Sequence, residues 1–198
     1  MIYLSGHVHK TLRHPMLGFL LTPDMGNKVP EDCIVAGDNA CFSNPEDYSD
    51  DRFLTFLEKM PRDRTLFAVA PDVLEDHVTT IERSIPMCRE IRKLGFKAAF
   101  VAQDGFDDAP WDEFDCLFVG GSTGFKFRGG RHAVKAAKQH GKSTHMGRVN
   151  SLDRLRAAVG IGCDSADGTY LKFGPDTNAP KLLRWLETIN EQHQMMTA

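Results

Sequence analysis

Short apolar runs recur along the first two-thirds of the chain, and each is closed by Gly, Asp, Asn or Pro. Residues 2–4 end at Ser5-Gly6, residues 17–21 at Thr22-Pro23 and residues 34–36 at Gly37-Asp38-Asn39. Residues 66–70 end at Pro71-Asp72, residues 98–102 at Gln103-Asp104-Gly105 and residues 116–119 at Gly120-Gly121-Ser122. Runs this short, bounded by turn residues, predict buried strands. The stretch 143–169 adds a strand (143–146), a turn with Gly147, and a helix that Asn150 or Ser151 starts. It closes with an eighth strand (165–167), which ends among Asp164 and Asp167. Leu152, Leu155, Val159 and Ile161 form the apolar stripe of that helix.

Helical spacing appears between the later strands. Residues 50–59 place Phe53, Leu54, Phe56 and Leu57 inward, and Pro61 stops them. Residues 76–94 carry Val78, Ile81, Ile85, Cys88, Ile91 and Leu94, with Gly95 as the cap and Pro86 predicting a kink or restart. Residues 131–140 make a basic helix closed by Gly141. Residues 181–192 make a final one on Leu182, Leu183, Leu186 and Ile189, before a frayed tail at 194–198. The segment 107–114 reads as a loop with one helical turn.

Eight strands, the later ones separated by helices, predict an α/β fold: a compact, reduced (βα)8 TIM-type barrel in a single domain, residues 1–198. That is shorter than the usual ~250 residues. The first two connections lack room for a helix, so one side is stripped and leaves apolar surface for a partner subunit. A three-layer open sheet is the alternative.

Composition narrows the class. Hydrophobic residues make up 41% and charged residues 26%, ordinary for a globular protein. No apolar run spans a membrane, and the polar N-terminus does not read as a signal peptide, so a cytoplasmic protein is expected. The five cysteines form no CxxC pair and are read as reduced, half-buried thiols. Net charge is -3, yet residues 126–156 hold nine basic residues and one acid. That asymmetry suggests either a phosphate-binding face or a solvated helix surface.

In a βα barrel the strand ends converge on one mouth. They carry Asp38, Asp72, Gln103, Gly120-Gly121, Met146-Gly147 and Asp167. Carboxylates accept from ring N–H and amino groups, Gln both donates and accepts, and crowded carboxylates push their pKa values apart. Asp and Gly are also ordinary turn residues, so the weight lies in the set.

The segments around these residues resemble the queuine-type tRNA-guanine transglycosylases. More closely, the chain resembles the short phage and bacterial members that insert 7-deazaguanines into DNA. MGRVNSLDRLRAAVGIGCDSADGT is similar to the family's MGVG…DLL…GVDMFDC, and AGDNACF to its DSGGF. APDVLEDH is similar to its FDE segment, FVAQDG to VQGG, and VGGSTGF to GGLAVGE. The resemblance implies Asp167 as nucleophile and Asp38 as general acid/base. Asp72 and Gln103 would read the base, with Gly120 and Gly121 offering backbone groups. Met146, Gly147 and Asp164 complete the implied substrate contacts. Lys126, Arg128, Arg148 and Arg154 are the candidates for nucleic-acid phosphates. The family's zinc-binding Cys/His region has no counterpart, which favours DNA over tRNA. The implied chemistry needs a free deazaguanine as second substrate and neither metal nor organic cofactor. A homodimer or accessory protein is a possible partner, in a bacterial or phage-infected cell.

Two rival readings stand beside it. His7-Val8-His9 resembles the metal-binding HxH of amidohydrolase barrels, with Asp167 and His145 as further ligands, although no His or Lys ends the fourth to sixth strands. A non-catalytic nucleic-acid-binding subunit is the other. His14, His77, His132, His140 and His193 are read as surface residues.

Overall fold

The computed structural model describes residues 1–9, 11–26, 29–43 and 45–197, with side chains as far as Glu191. Eight parallel strands close into a barrel in sequence order. They are β1 (Ile2–Ser5), β2 (Leu17–Leu21), β3 (Val35–Gly37), β4 (Thr65–Val69), β5 (Ala98–Ala102), β6 (Cys116–Val119), β7 (Ser143–Met146) and β8 (Ser165–Gly168). The seam pairs Leu4 with Asp167 and Ser5 with Gly168. The open-sheet alternative is thereby excluded.

Strand alternation sorts the side chains into two layers. Leu4, Leu20, Ala36, Phe67, Val69, Ala99, Val101 and Cys116 fill the interior. The residues between them, such as Phe19, Val35, Phe100 and Leu117, face the helices. Six helices follow: α1 (Asp50–Glu58), α2 (His77–Lys93), α3 (Thr123–Arg128), α4 (Gly130–Gln139), α5 (Leu152–Ile161) and α6 (Pro175–Thr197). Their starts are set by side-chain caps. Ser49, Asp76, Ser122 and Ser151 each accept from a backbone N–H three residues on. Ser151, rather than Asn150, is thus the cap of α5, while Asn150 Oδ1 accepts from Thr169 N at 2.7 Å.

Several expectations change. A separate helix, α3, fills the span before the basic helix, because Ser122 caps it. The final helix begins at Pro175 rather than 181, since proline suits the first helical position and Pro180 forgoes only one bond. Its backbone stays helical through Thr197, so the tail is not frayed there; the His193 side chain lies outside the described residues. α2 runs unbroken through Pro86. Val78, expected inward, is 68% exposed, whereas His77 is buried against Phe100 and Phe106 with Nε2 2.8 Å from Asp108 O. His14 is half-buried and accepts from Met16 N. All five cysteines are free and buried, not half-buried.

Among the described residues the first two connections carry no helix, as expected. Met25 and Val29 from the second, and Leu12 and Met16 from the first, pack onto the barrel in its place. Among the described residues, no exposed large hydrophobic lies on either connection, so the stripped side is not an open apolar face. Among the described residues no helix is long and apolar enough to cross a membrane.

The seam is braced by Tyr3, whose buried hydroxyl donates to Val149 O at 3.0 Å. Val149 N in turn donates to Asp167 O at 2.6 Å. Tyr3→Phe leaves that buried carbonyl short of a donor. It is expected to lower unfolding free energy by about 1–2 kcal/mol in urea titration; an unchanged midpoint would contradict the brace.

Candidate active site

The interior register runs on past the strand ends. Ala36 faces in, and so does Asp38 two residues later; Val101 leads to Gln103, and Phe118 to Gly120. On β7 and β8 the inward residues are His145, Ser165 and Asp167. These groups, with Asp72 and Lys126, surround one cavity of about 120 Å³ at the mouth. That is below the ~300 Å³ at which drug-sized pockets begin.

The turn after β3 is held by its own side chains. Ala40 N donates to Asp38 Oδ1 and Cys41 N to Asn39 Oδ1, both at 2.7 Å, and Asn39 Nδ2 donates to Val69 O at 3.0 Å. The turn holds Ala40 at φ 61. Desolvation pushes Asp38 up to about 6, and the charges of Asp167 and Asp72 add to the rise against the Ala40 hydrogen bond.

Asp72 and Gln103 form a second unit. Gln103 Nε2 donates to Asp72 Oδ2, and Gln103 Oε1 accepts from Glu75 N at 2.9 Å, which fixes the amide's orientation. The Cys41 thiol approaches Asp72 Oδ1 at 3.6 Å. Desolvation raises the Asp72 carboxyl despite the Cys41 and Gln103 bonds, and burial with Asp72 beside it pushes Cys41 up to about 12, leaving an inert thiol.

Asp167 stands on a buried support. His145, wholly buried, donates from Nε2 to Asp167 Oδ2 at 3.1 Å, and Ser165 Oγ lies 2.8 Å from Nδ1. Phe67 and Phe118 wedge the ring, with centroids 5.0 and 4.5 Å away. Among the described residues Asp167 Oδ1 meets only Arg148 N, at 3.4 Å, so it is the oxygen open to the cavity. The order is mouth, Asp167, His145, Ser165, which rules out Ser165 as an exposed nucleophile. Glycine is required beside these groups. A Cβ on Gly147 would lie 2.6 Å from Phe118 and 3.2 Å from Asp167 Oδ2, and one on Gly120 would strike Val101.

The sequence-predicted set divides. Asp38, Asp72, Gln103, Gly120, Gly121, Gly147 and Asp167 all border the cavity. Asp164 does not. It precedes β8 at the opposite end of the barrel, where Oδ2 accepts from Thr144 N at 2.8 Å and from Lys138 Nζ at 2.5 Å. Three strand residues span ~10 Å, so the two acids sit at opposite ends of one strand. Met146 also falls outside the cavity: alternation turns it toward Val134 and Leu155 in the helix layer. Of the basic candidates, Lys126 and Arg148 border the cavity and Arg154 lies next to them, while exposed Arg128 borders neither space at the mouth.

His145 as the support of Asp167, and the cavity-lining Cys41 and Phe118, escaped sequence reading. The available signal was register: His145 stands two residues before Gly147, and Ser165 two before Asp167. The amidohydrolase set does not assemble. His7 and His9 lie beyond β1, and His9 Nδ1 accepts from Leu12 N at 3.2 Å. Among the described residues, no three His, Cys, Asp or Glu side chains are grouped to hold a metal.

No described family matches the chain. No curated protein matches it either. Solved structures are similar in fold. The Bacillus subtilis YkuI protein, with an EAL domain and in complex with substrate c-di-GMP and calcium, is 16% identical at a TM-score of 0.47, over 84% of this chain and 45% of that one. The Klebsiella pneumoniae BlrP1 calcium/cyclic-diGMP complex is 14% identical at 0.43, over 71% and 38%. A cube-shaped porous protein cage, designed by fusing symmetric oligomeric domains, is 11% identical at 0.53, over 99% and 74%. The chain thus spans less than half the length of the first two, and the likeness reaches the barrel fold alone.

Asp38 gives a test independent of any substrate. A carboxyl whose folded pKa is about 6 against 3.8 costs stability as pH rises through that window, because the folded state holds the proton longer. Asp38→Asn is expected to stabilise the protein by about 1–3 kcal/mol at pH 8 and by nothing near pH 3.5, in paired denaturant titrations. Equal effects at both pH values would contradict the raised pKa.

Proposed function

We propose that this barrel is a guanine transglycosylase that exchanges a guanine in nucleic acid, most readily DNA, for a 7-deazaguanine. The observation that carries the reading is the unequal pair of acids at one small cavity. Asp38 is desolvated and retains its proton toward neutral pH, while Asp167 presents one free oxygen and is held by His145 through the other. One acid suited to proton transfer and one suited to attack are what a retaining displacement at a sugar carbon needs. The resemblance of five sequence segments to the transglycosylases supports the same roles.

In the first step Asp167 Oδ1 attacks C1′ as the bond from C1′ to the guanine nitrogen breaks. The electron pair leaves with the base, and Asp38 donates its proton to it. His145 keeps its hydrogen bond to Oδ2, which becomes the ester carbonyl. In the second step Asp38 takes a proton from the incoming deazaguanine, whose nitrogen attacks C1′. The ester C–O bond breaks, and the growing carboxylate charge is met by the His145 N–H. Asp72 accepts from the amino and ring N–H groups of either base. Gln103, oriented by Glu75 N–H, has one N–H left to donate, and the Gly120-Gly121 turn lets the base approach the backbone.

Labelled guanine supplied with DNA and tRNA in parallel tests the reading. Label is expected in DNA, with kcat/KM for the nucleic acid falling as pH rises through about 6 because Asp38 must be protonated in the free enzyme. Asp167→Asn is expected to remove exchange by at least 10³-fold. Normal exchange by that variant would reject the nucleophile. Label in tRNA alone would reject the DNA assignment, and label in neither would reject the reading.

A further inference from the structure

Some cations elsewhere on the protein take acidic partners, as Arg13 does with Asp32, Arg92 with Asp115 and Lys138 with Asp164, while others, such as Arg64 and Lys142, are single cations held by carbonyls. Lys126, Arg148 and Arg154 gather at the mouth and, among the described residues, pair with no acid. Each is held by a carbonyl instead. Lys126 Nζ donates to Gly147 O at 2.8 Å, Arg148 Nη2 to Gly121 O at 2.6 Å, and Arg154 Nη1 to Arg148 O at 3.2 Å. Lys126 is only 6% exposed. Burial, and then the charge of Arg148, pushes it down to about 8, with Asp167 opposing and Arg154 reinforcing the fall. Two like charges beside a buried ammonium are unfavourable until an anion joins them. The space they enclose, about 70 Å³, shares Lys126, Gly147 and Arg148 with the base cavity.

Exposed apolar side chains cluster at the same place. Phe42 is 60%, Leu74 44% and Phe127 46% exposed. Phe42 and Leu74 border the base cavity, and Phe127 borders the cationic one. Arg148 has its guanidinium 5.7 Å from the Phe42 ring centre and its backbone at φ 60, a strained conformation for a residue other than glycine.

We infer that this rim is a platform for an unpaired nucleic-acid strand. Bases flanking the target stack on Phe42 and Phe127, and a backbone phosphate sits among Lys126, Arg148 and Arg154. The inference rests on the transglycosylase reading for which base enters the cavity, but not for the binding itself. Aromatic faces beside cations suit single strands, whose bases have free faces; a duplex has already stacked its own. The target nucleotide must leave its stack in any case, and a strand that is already unpaired is spared that cost.

Fluorescence anisotropy of a labelled single-stranded DNA 12-mer with a central guanine, against its blunt duplex, tests this without any base exchange. The single strand is expected to bind at least tenfold tighter. Phe42→Ala and Phe127→Ala are each expected to weaken it about tenfold. Lys126→Met is expected to reduce the slope of log affinity against log salt by about one. Val78→Ala, at a still more exposed position that borders neither space, serves as control and is expected to leave binding unchanged. Both phenylalanines are exposed, so their truncation is not expected to unfold the protein, and circular dichroism verifies this. Equal or tighter duplex binding, unchanged affinity in both phenylalanine variants, or complete displacement by millimolar inorganic phosphate would overturn the platform. Binding as expected without base exchange would overturn the transglycosylase reading alone.

Discussion

Parallel pairing of β8 with β1 closes the barrel, and the chemistry at the mouth depends on that seam. The register sets Leu4 against Asp167, so the carboxylate arrives at the mouth on a strand fixed from both sides. Its main-chain oxygen is held by Val149 N and, one residue further, Tyr3 holds Val149 O. Its side chain rests on His145, which is buried on the neighbouring strand with Ser165 beneath it. In the proposed reaction Asp167 must present one oxygen in one direction. Here sheet geometry and a buried ring fix that direction, without any mobile loop.

The same closure concentrates charge. Three carboxylates line a small space, and desolvation of Asp38 and Asp72 raises both. On one edge the cations Lys126 and Arg148 supply the opposite sign. Buried polar groups are costly unless paired. Most at this site are paired by neighbouring backbone or side chains, which leaves the open lone pairs of Asp167, Asp38 and Asp72 facing the cavity. Stability is given up at Asp38 and Arg148, a pattern that is common at functional sites.

Much of this was legible in the sequence for a definite reason. Strands of four or five residues that end in turn chemistry stand out, and βα topology sends every such end to one mouth. Asp38, Asp72, Gln103 and Asp167 could therefore be placed at the mouth from strand ends alone. Register was the weak point. The last strand begins with Ser165, and reading its end as Asp164 plus Asp167 merged two opposite ends of the barrel. Met146 lies outside the central cavity for the related reason that the final strand residue alternates outward, and it borders the adjacent cationic space instead. His145 was set beside Asp167 only in the metal-binding reading; its supporting role was hidden because it lies inside a strand, where a lone polar residue gives no periodic signal. Lys126 and Arg128 were read alike as phosphate candidates, and only the fold separates them: Lys126 is buried at the edge of the cavity, while exposed Arg128 borders neither space.

The central claim is that Asp167 carries the sugar between two bases. Intact-mass and peptide mass spectrometry after acid quench, with a single-stranded guanine-containing oligonucleotide and no incoming base, tests it directly. The account predicts an adduct of the oligonucleotide less guanine on the peptide holding Asp167, lost when deazaguanine is added before the quench. An adduct on another residue, or guanine release with no adduct at any time, would contradict it.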